Sequence, residues 1–234
     1  MKLLLLSNST NAGEEYLGFS KNLVKEFLGE KEVNILFIPY AAVTFSYDEY
    51  KKKVNDAWKE IGYQVKSIHH FSNPEEAIRK AEVIVVGGGN TWQLVKLLHA
   101  FRLMEEISKK VKKGTPYIGW SAGSNIACPT LKTTNDMPIV EPERFDALNL
   151  VPFQINPHYL DVNPAGHGGE TREQRIEEFL FMNKDVYVVG LREGTLLYYN
   201  EGKLKLVGER SARIFKNGEY PRELNQVDDF SFLI

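Results

Sequence analysis

The chain has 234 residues, a formal net charge of -2 and the composition of an ordinary globular protein. Its charges are mixed, with no basic tail or arginine-rich run, so there is no electrostatic basis for nucleic-acid binding. A single cysteine, Cys128, excludes an intrachain disulfide and suits a reducing compartment.

The first apolar run, Leu3 to Leu6, is too short for a secretory signal and no small-residue cleavage pattern follows it. It reads as a buried strand. No later apolar run approaches membrane-spanning length, so a cytoplasmic protein is expected. The spacing of Tyr16, Leu17, Phe19, Leu23, Val24 and Phe27 predicts a helix over 14–28, stopped by Gly29. Residues 33–40 predict a second strand, broken at Pro39. A charged amphipathic helix follows over 47–61 and closes at Gly62. Residues 64–71 predict a third strand, where alternation would send His69 and His70 to opposite faces. Pro74 near the first position opens a short helix. Residues 82–86 predict a fourth strand that runs into Gly87-Gly88-Gly89-Asn90-Thr91. One long helix is expected over 92–113, with a lysine-rich last turn that suits the helix dipole. The fifth strand ends at Trp120.

Residues 129–150 read as irregular chain with a short strand near 138–140. Residues 151–156 predict another strand, followed by Pro157-His158. A Gly/Pro-rich stretch over 163–169 leads to a helix over 172–182, which Thr171 and Gln174 open as a capping box. Residues 186–191 predict an apolar strand before Arg192-Glu193-Gly194. Beyond Thr195, short runs separated by Asn200-Glu201-Gly202 and Lys216-Asn217-Gly218-Glu219 read as antiparallel hairpins. The βαβ alternation implies a mainly parallel sheet with right-handed crossovers. With no repeat or linker, residues 1–234 read as a single α/β domain.

Chemistry is expected at the carboxyl ends of the strands, where open parallel sheets bind ligands. Gly119-Trp120-Ser121-Ala122-Gly123 is a G-x-S-x-G element between a strand and a helix, the context that exposes a nucleophilic serine. Ser121 needs a base because its hydroxyl is hardly ionised at neutral pH. His158 follows a strand end behind Pro157 and is the candidate; His69, His70 and His99 read as structural. A carboxylate must orient the base. Glu193 and Asp136 both qualify, and the sequence does not decide between them. The glycine triplet could cradle phosphate at a helix N-terminus. The neighbouring serine favours a second oxyanion donor instead, with N–H groups of Gly88 or Gly89 joining that of Ala122. Asn90, and His167 in the Gly-rich loop, are candidate substrate contacts. Arg172 could clamp a substrate carboxylate. No His/Cys/Asp cluster has metal-ligand spacing, so neither metal nor cofactor is expected. Cys128 reads as buried and inert.

These segments also carry a resemblance. Residues 3–9, Gly87-Gly88-Gly89-Asn90-Thr91, Ile118-Gly119-Trp120-Ser121-Ala122-Gly123, residues 133–140 and 145–150, Gln154-Ile155-Asn156-Pro157-His158 and residues 169–175 together resemble the peptidase E family of α-aspartyl dipeptidases. The resemblance is collinear from the first strand to about Gly194. It implies a flavodoxin-like three-layer sandwich related to class I glutamine amidotransferases, not an α/β-hydrolase. It implies a serine peptidase that cleaves dipeptides with an N-terminal aspartate, with Ser121 as nucleophile, His158 as base and Arg172 on the aspartate side chain. Both Asp136 and Glu193 match positions proposed for the third member. Trp92 stands where the family has phenylalanine. The related cyanophycinases cleave a polymer on the same scaffold, so substrate length is the less determined property. A non-family esterase and a non-catalytic phosphate-binding module are the other readings. Small aspartyl dipeptides are the expected partners of a monomer or homodimer.

Overall fold

The computed structural model describes residues 1–29, 32–166 and 168–234. Its larger sheet begins with β1 (Lys2–Leu6), β2 (Ile35–Ile38), β3 (Val65–Ser67), β4 (Val83–Val86) and β5 (Tyr117–Trp120). These strands run parallel in the spatial order β3-β2-β4-β5-β1. β8 (Leu196–Asn200) and β9 (Lys203–Val207) then extend the sheet antiparallel beyond β1. A second, four-stranded sheet has the order β11 (Arg222–Leu224), β10 (Ala212–Lys216), β7 (Tyr187–Leu191), β6 (Gln154–Pro157). Only β6 and β7 are parallel within it.

The continuous apolar strands follow from burial on both faces. Leu4, Leu6, Phe37, Val85, Ile118 and Trp120 pack against α1 (Lys21–Leu28) and α2 (Tyr47–Trp58). Leu3, Leu5, Ile38, Ile84, Val86 and Tyr117 face the other way, into a core shared with Ile155, Val189 and Ile214 of the second sheet. The same core takes in α3 (Pro74–Lys80), α4 (Thr91–Ala100), α5 (Leu103–Lys112) and α6 (Ala122–Asn125) through Ile78, Leu94, Ile107 and Ala122. α7 (Arg172–Met182) covers the outer face of the second sheet, where Ile176 and Leu180 meet Tyr159, Val188 and Phe215. The architecture is therefore α/β, with a mainly parallel sheet and C-terminal antiparallel hairpins. Among the described residues no helix is long and apolar enough to cross a membrane.

Four local expectations change. The helix expected over 92–113 is two helices, because the chain turns at Phe101-Arg102 and Arg102 takes φ 57°. The N-terminal helix begins later, after a short 3-10 turn over Gly18–Ser20. No strand forms over 138–140; the only pairing in that excursion is a bridge between Thr130 and Asp146. β3 stops at Ser67, and a 3-10 turn over Ile68–His70 follows, so His69 and His70 do not alternate across a strand.

Candidate active site

Three adjacent strands of the large sheet, β4, β5 and β1, are followed directly by Gly87, Ser121 and Ser7. Ser121 is the N-cap of α6 and takes φ 52°, ψ -112°, a conformation outside the ordinary regions for an L-residue. Such a residue costs on the order of 1–3 kcal/mol, which the surrounding packing must offset. The flanking glycines explain how the turn closes. A Cβ on Gly119 would lie 2.5 Å from the Gly123 carbonyl oxygen, and one on Gly123 would lie 2.2 Å from the Val86 carbonyl oxygen. The Tyr117 hydroxyl donates to Gly123 O, and the Ser124 hydroxyl to Leu6 O, fixing the turn against its own strand and against β1.

The second sheet supplies the partners. Pro157 of β6 is in register with Leu191 of β7, so the residues just past these strands lie side by side. The Ser121 hydroxyl donates to His158 Nε2 at 2.9 Å, and His158 Nδ1 donates to Glu193 Oε1 at 2.6 Å. A carboxylate can only accept, so Nδ1 carries the proton and Nε2 is free to take the one on Ser121. His158 has φ 53°, and its N–H donates to Ser7 Oγ at 2.9 Å. The Ser7 hydroxyl donates in turn to Leu191 O at 2.7 Å. Asn8 Oδ1 accepts from the N–H of Gly194, next to Glu193. Ser7 and Asn8 therefore pin both halves of the histidine–glutamate pair. Sequence reasoning missed them as site residues; the available signal was a buried polar pair at the end of the central apolar strand.

Arg192 holds the same turn from the other side. It is hydrogen-bonded to Asp161, Glu223 and Ser211. These contacts raise its basicity above the ordinary guanidinium value.

Asp136 lies elsewhere. Its Oδ2 accepts from both the N–H and the hydroxyl of Thr91, at 2.7 and 2.6 Å, at the start of α4. It makes no hydrogen bond to His158 among the described residues. Trp92 Nε1 donates to Asp136 O at 3.0 Å, a bond that a phenylalanine could not make. Asn90 is engaged at both ends: Oδ1 caps α4 by accepting from the Gln93 N–H, and Nδ2 donates to Met137 O.

The glycine triplet abuts the serine. A Cβ on Gly88 would lie 3.0 Å from Ser121 Cβ. Gly89, at φ 134°, lets the loop approach the Ala41 carbonyl. The Tyr50 hydroxyl donates to Gly88 O at 2.9 Å and accepts from Trp120 Nε1 at 3.0 Å, bracing this loop from beneath. The N–H groups of Gly88, Gly89 and Ala122 make no hydrogen bond among the described residues. They are open donors around Ser121, as an oxyanion requires.

Arg172 opens α7 directly after its Thr171 cap. It lines a cleft of about 310 Å³ with Leu160, Asn163, Pro164, Glu170 and Arg175. Arg175 is paired with Glu170, whereas Arg172 makes no ion pair or hydrogen bond among the described residues. Burial, and then the nearby Arg175, lower its pKa from the ordinary value, and Asp136 opposes them. His167 lies outside the described residues. His99 is buried and its Nε2 meets Asp146 O, a structural contact. Cys128 is fully buried, and burial pushes its thiol well up from the usual range, which leaves it unreactive.

A family model described as peptidase family S51 matches residues 3–207. The chain is 53% identical over 233 residues to a peptidase E of Nostoc sp., covering 100% of this chain and 96% of that protein. It is 48% identical over 219 residues to a peptidase E of Salmonella paratyphi A, covering 94% and 95% respectively. In fold it is similar to a crystal structure of a peptidase from an acI-B1 Actinobacterium, with a TM-score of 0.69 at 18% identity, covering 99% of this chain and 96% of that one. A match across most of the chain and relatives aligned nearly end to end have one meaning: the chain belongs to peptidase family S51, as a serine peptidase of the peptidase E kind.

Proposed function

We propose that the chain hydrolyses dipeptides with an N-terminal aspartate through Ser121, His158 and Glu193. The observation that carries the reading is the continuous hydrogen-bonded path from Ser121 Oγ through His158 to Glu193 Oε1. In this mechanism His158 Nε2 takes the hydroxyl proton as Ser121 Oγ attacks the aspartyl carbonyl. Glu193 stabilises the imidazolium and keeps its orientation. The N–H of Ala122 and those of Gly88 or Gly89 receive the negative charge on the carbonyl oxygen. His158 then passes its proton to the leaving amine as the C–N bond breaks. Water, deprotonated by the same nitrogen, hydrolyses the acyl-serine and releases aspartate.

Specificity is assigned to Arg172. Its support is a half-buried cation that makes no ion pair among the described residues, in a cleft whose other arginine is already paired. A substrate carboxylate would supply the missing partner with bidentate geometry. Asp136 in this reading holds the start of α4 and is not the orienting acid. A cytoplasmic setting is part of the same proposal, supported by the lone, unpaired Cys128.

The test is Asp-Leu hydrolysis by the wild type, Ser121→Ala and Arg172→Ala, beside Asn-Leu as an uncharged control. Ser121→Ala should be inactive. Removing one member of a desolvated ion pair costs about 3 kcal/mol or more. Arg172→Ala should therefore lose at least about 100-fold in kcat/KM on Asp-Leu and far less on Asn-Leu. Cleavage of Asp-Leu by Arg172→Ala at the wild-type rate would refute the specificity assignment.

A further inference from the structure

Away from the serine, the fold gathers three metal-ligating side chains that are remote or misaligned in sequence. Asp48 lies in the first turn of α2, whose start is fixed by a reciprocal cap between Ser46 and Glu49. β3 ends at Ser67, and the single 3-10 turn after it swings both following imidazoles to one side. Asp48 Oδ1 then lies 2.7 Å from His70 Nε2 and 3.3 Å from His69 Nε2. One ligand atom from each residue falls within 4.8 Å of the other two. Donors around a tetrahedral zinc ion sit about 3.4 Å apart, given bonds near 2.0–2.2 Å. The three atoms need only a small separation to admit an ion.

A second observation lies behind the cluster. His69 Nδ1 is 2.7 Å from the hydroxyl of Ser67, which has no solvent exposure. Metal-binding histidines use such a partner on the far ring nitrogen to fix the tautomer and aim the other nitrogen at the ion. In front, the site is open: the Asp48 and His70 side chains are 70% and 42% exposed. An ion and its waters have direct access.

We propose that Asp48, His69 and His70 form a surface site for a zinc-class divalent transition metal, with water completing the coordination. Two imidazoles and one carboxylate suit borderline metals, whereas magnesium and calcium prefer all-oxygen sets. The bound ion ties the first turn of α2 to the turn between β3 and α3. α2 also carries Tyr50, which braces the Gly88 carbonyl beside Ser121. The site is thus a staple on the helix that supports the catalytic edge, and it takes no part in bond cleavage. It stands whether or not aspartyl dipeptides are the substrate.

The experiment is calorimetric titration of chelator-dialysed full-length protein with zinc chloride, on a His158→Ala background that keeps the metal off the catalytic pair. One saturable equivalent is expected, with a rise in Tm on zinc addition. Adding Asp48→Asn or His70→Ala should abolish both effects. Ser67→Ala should weaken binding about tenfold, the lower end for loss of a partner behind a metal ligand. Far-UV circular dichroism establishes that each variant is folded, and His70→Gln replaces any that is not. Absence of saturable binding, or binding left unchanged by both ligand substitutions, overturns the proposal.

Discussion

Exchanging each rival carboxylate for its amide separates Glu193 from Asp136. Glu193→Gln preserves size but removes the charge that favours imidazolium, and it adds an amide donor that can pair with the other imidazole tautomer, so Nδ1–H is no longer fixed. The bond weakened is 2.6 Å long and is charge-assisted by the Glu193 carboxylate. Such bonds contribute about 1.5–3 kcal/mol. A wrongly oriented tautomer adds to that, and in a buried triad the amide exchange costs about 10⁴ in kcat. Here the His158 and Glu193 side chains are 39% and 44% exposed, so water replaces part of the lost interaction. A fall in kcat of about 10²–10³ is expected, equivalent to about 3–4 kcal/mol in the barrier, with little change in Tm. Asp136→Asn acts on α4 instead. It removes a negative charge near a helix N-terminus, about 0.3–1 kcal/mol, and weakens one of two bonds from Thr91, about 0.5–1.5 kcal/mol. The sum, about 1–2 kcal/mol, lowers Tm by about 2–8 °C for a chain of this size, while kcat stays within about tenfold of wild type. Steady-state Asp-Leu hydrolysis and scanning calorimetry on both variants read the two axes. A larger kcat loss in Asp136→Asn than in Glu193→Gln would refute the assignment of the orienting acid.

Ser7→Ala should damage stability and turnover together. It leaves the His158 N–H unpaired, at about 1–3 kcal/mol, while the Leu191 carbonyl keeps its bond from the Tyr159 N–H. A Tm loss of about 2–12 °C and a lower kcat with nearly constant KM are expected; unchanged values of both would show that the hydroxyl does not position the histidine. A separate prediction concerns acid. Burial by itself would raise the Glu223 carboxyl, but hydrogen bonds from Arg192, Ser211 and Arg213 outweigh it and hold the group at about 2, below its usual 4.5. A depressed folded-state pKa contributes stability that is fully present above about 4.5 and is lost as pH falls through about 2. The Glu223 side chain is 40% exposed, so screening reduces the contribution to about 1 kcal/mol. Urea unfolding of the wild type and Glu223→Gln should differ by that amount at pH 6 and converge near pH 2. A gap independent of pH would sink this account.

The elements that were legible in sequence are those whose signals are local. Glycine placement around Ser121 reported backbone so close that any Cβ would come within 3 Å of it, and Thr171 with Gln174 reported a helix start that the structure reproduces as a reciprocal cap. The break between α4 and α5 was hidden because neither glycine nor proline marks it; Arg102 takes the left-handed conformation, and Leu103 and Ile107 continue the apolar pattern into the core. Period-2 reasoning failed at His69 and His70 because the strand had already ended at Ser67. The choice between Asp136 and Glu193 was illegible in principle. Glu193 follows an apolar strand and Asp136 a polar stretch, and what separates them in the fold is the register of β6 against β7, which no spacing along the chain reveals.

That register also accounts for how a motif associated with α/β-hydrolases would work on a different frame. In the proposed mechanism the nucleophile and its N–H donors come from the ends of β4 and β5 of one sheet, and the base and its carboxylate come from the ends of β6 and β7 of another. A parallel pair in register at Pro157 and Leu191 delivers His158 and Glu193 as neighbours, so their mutual geometry is set within the second sheet. The distance from His158 to Ser121 depends instead on how the two sheets are joined. Ser7 and Asn8 bridge that junction, with the Ser7 N–H also donating to Thr195 O, where the chain crosses from β7 into β8. On the proposed assignment, catalysis is expected to be most sensitive at this seam. A lost hydrogen bond there moves the base relative to the nucleophile while each sheet remains intact.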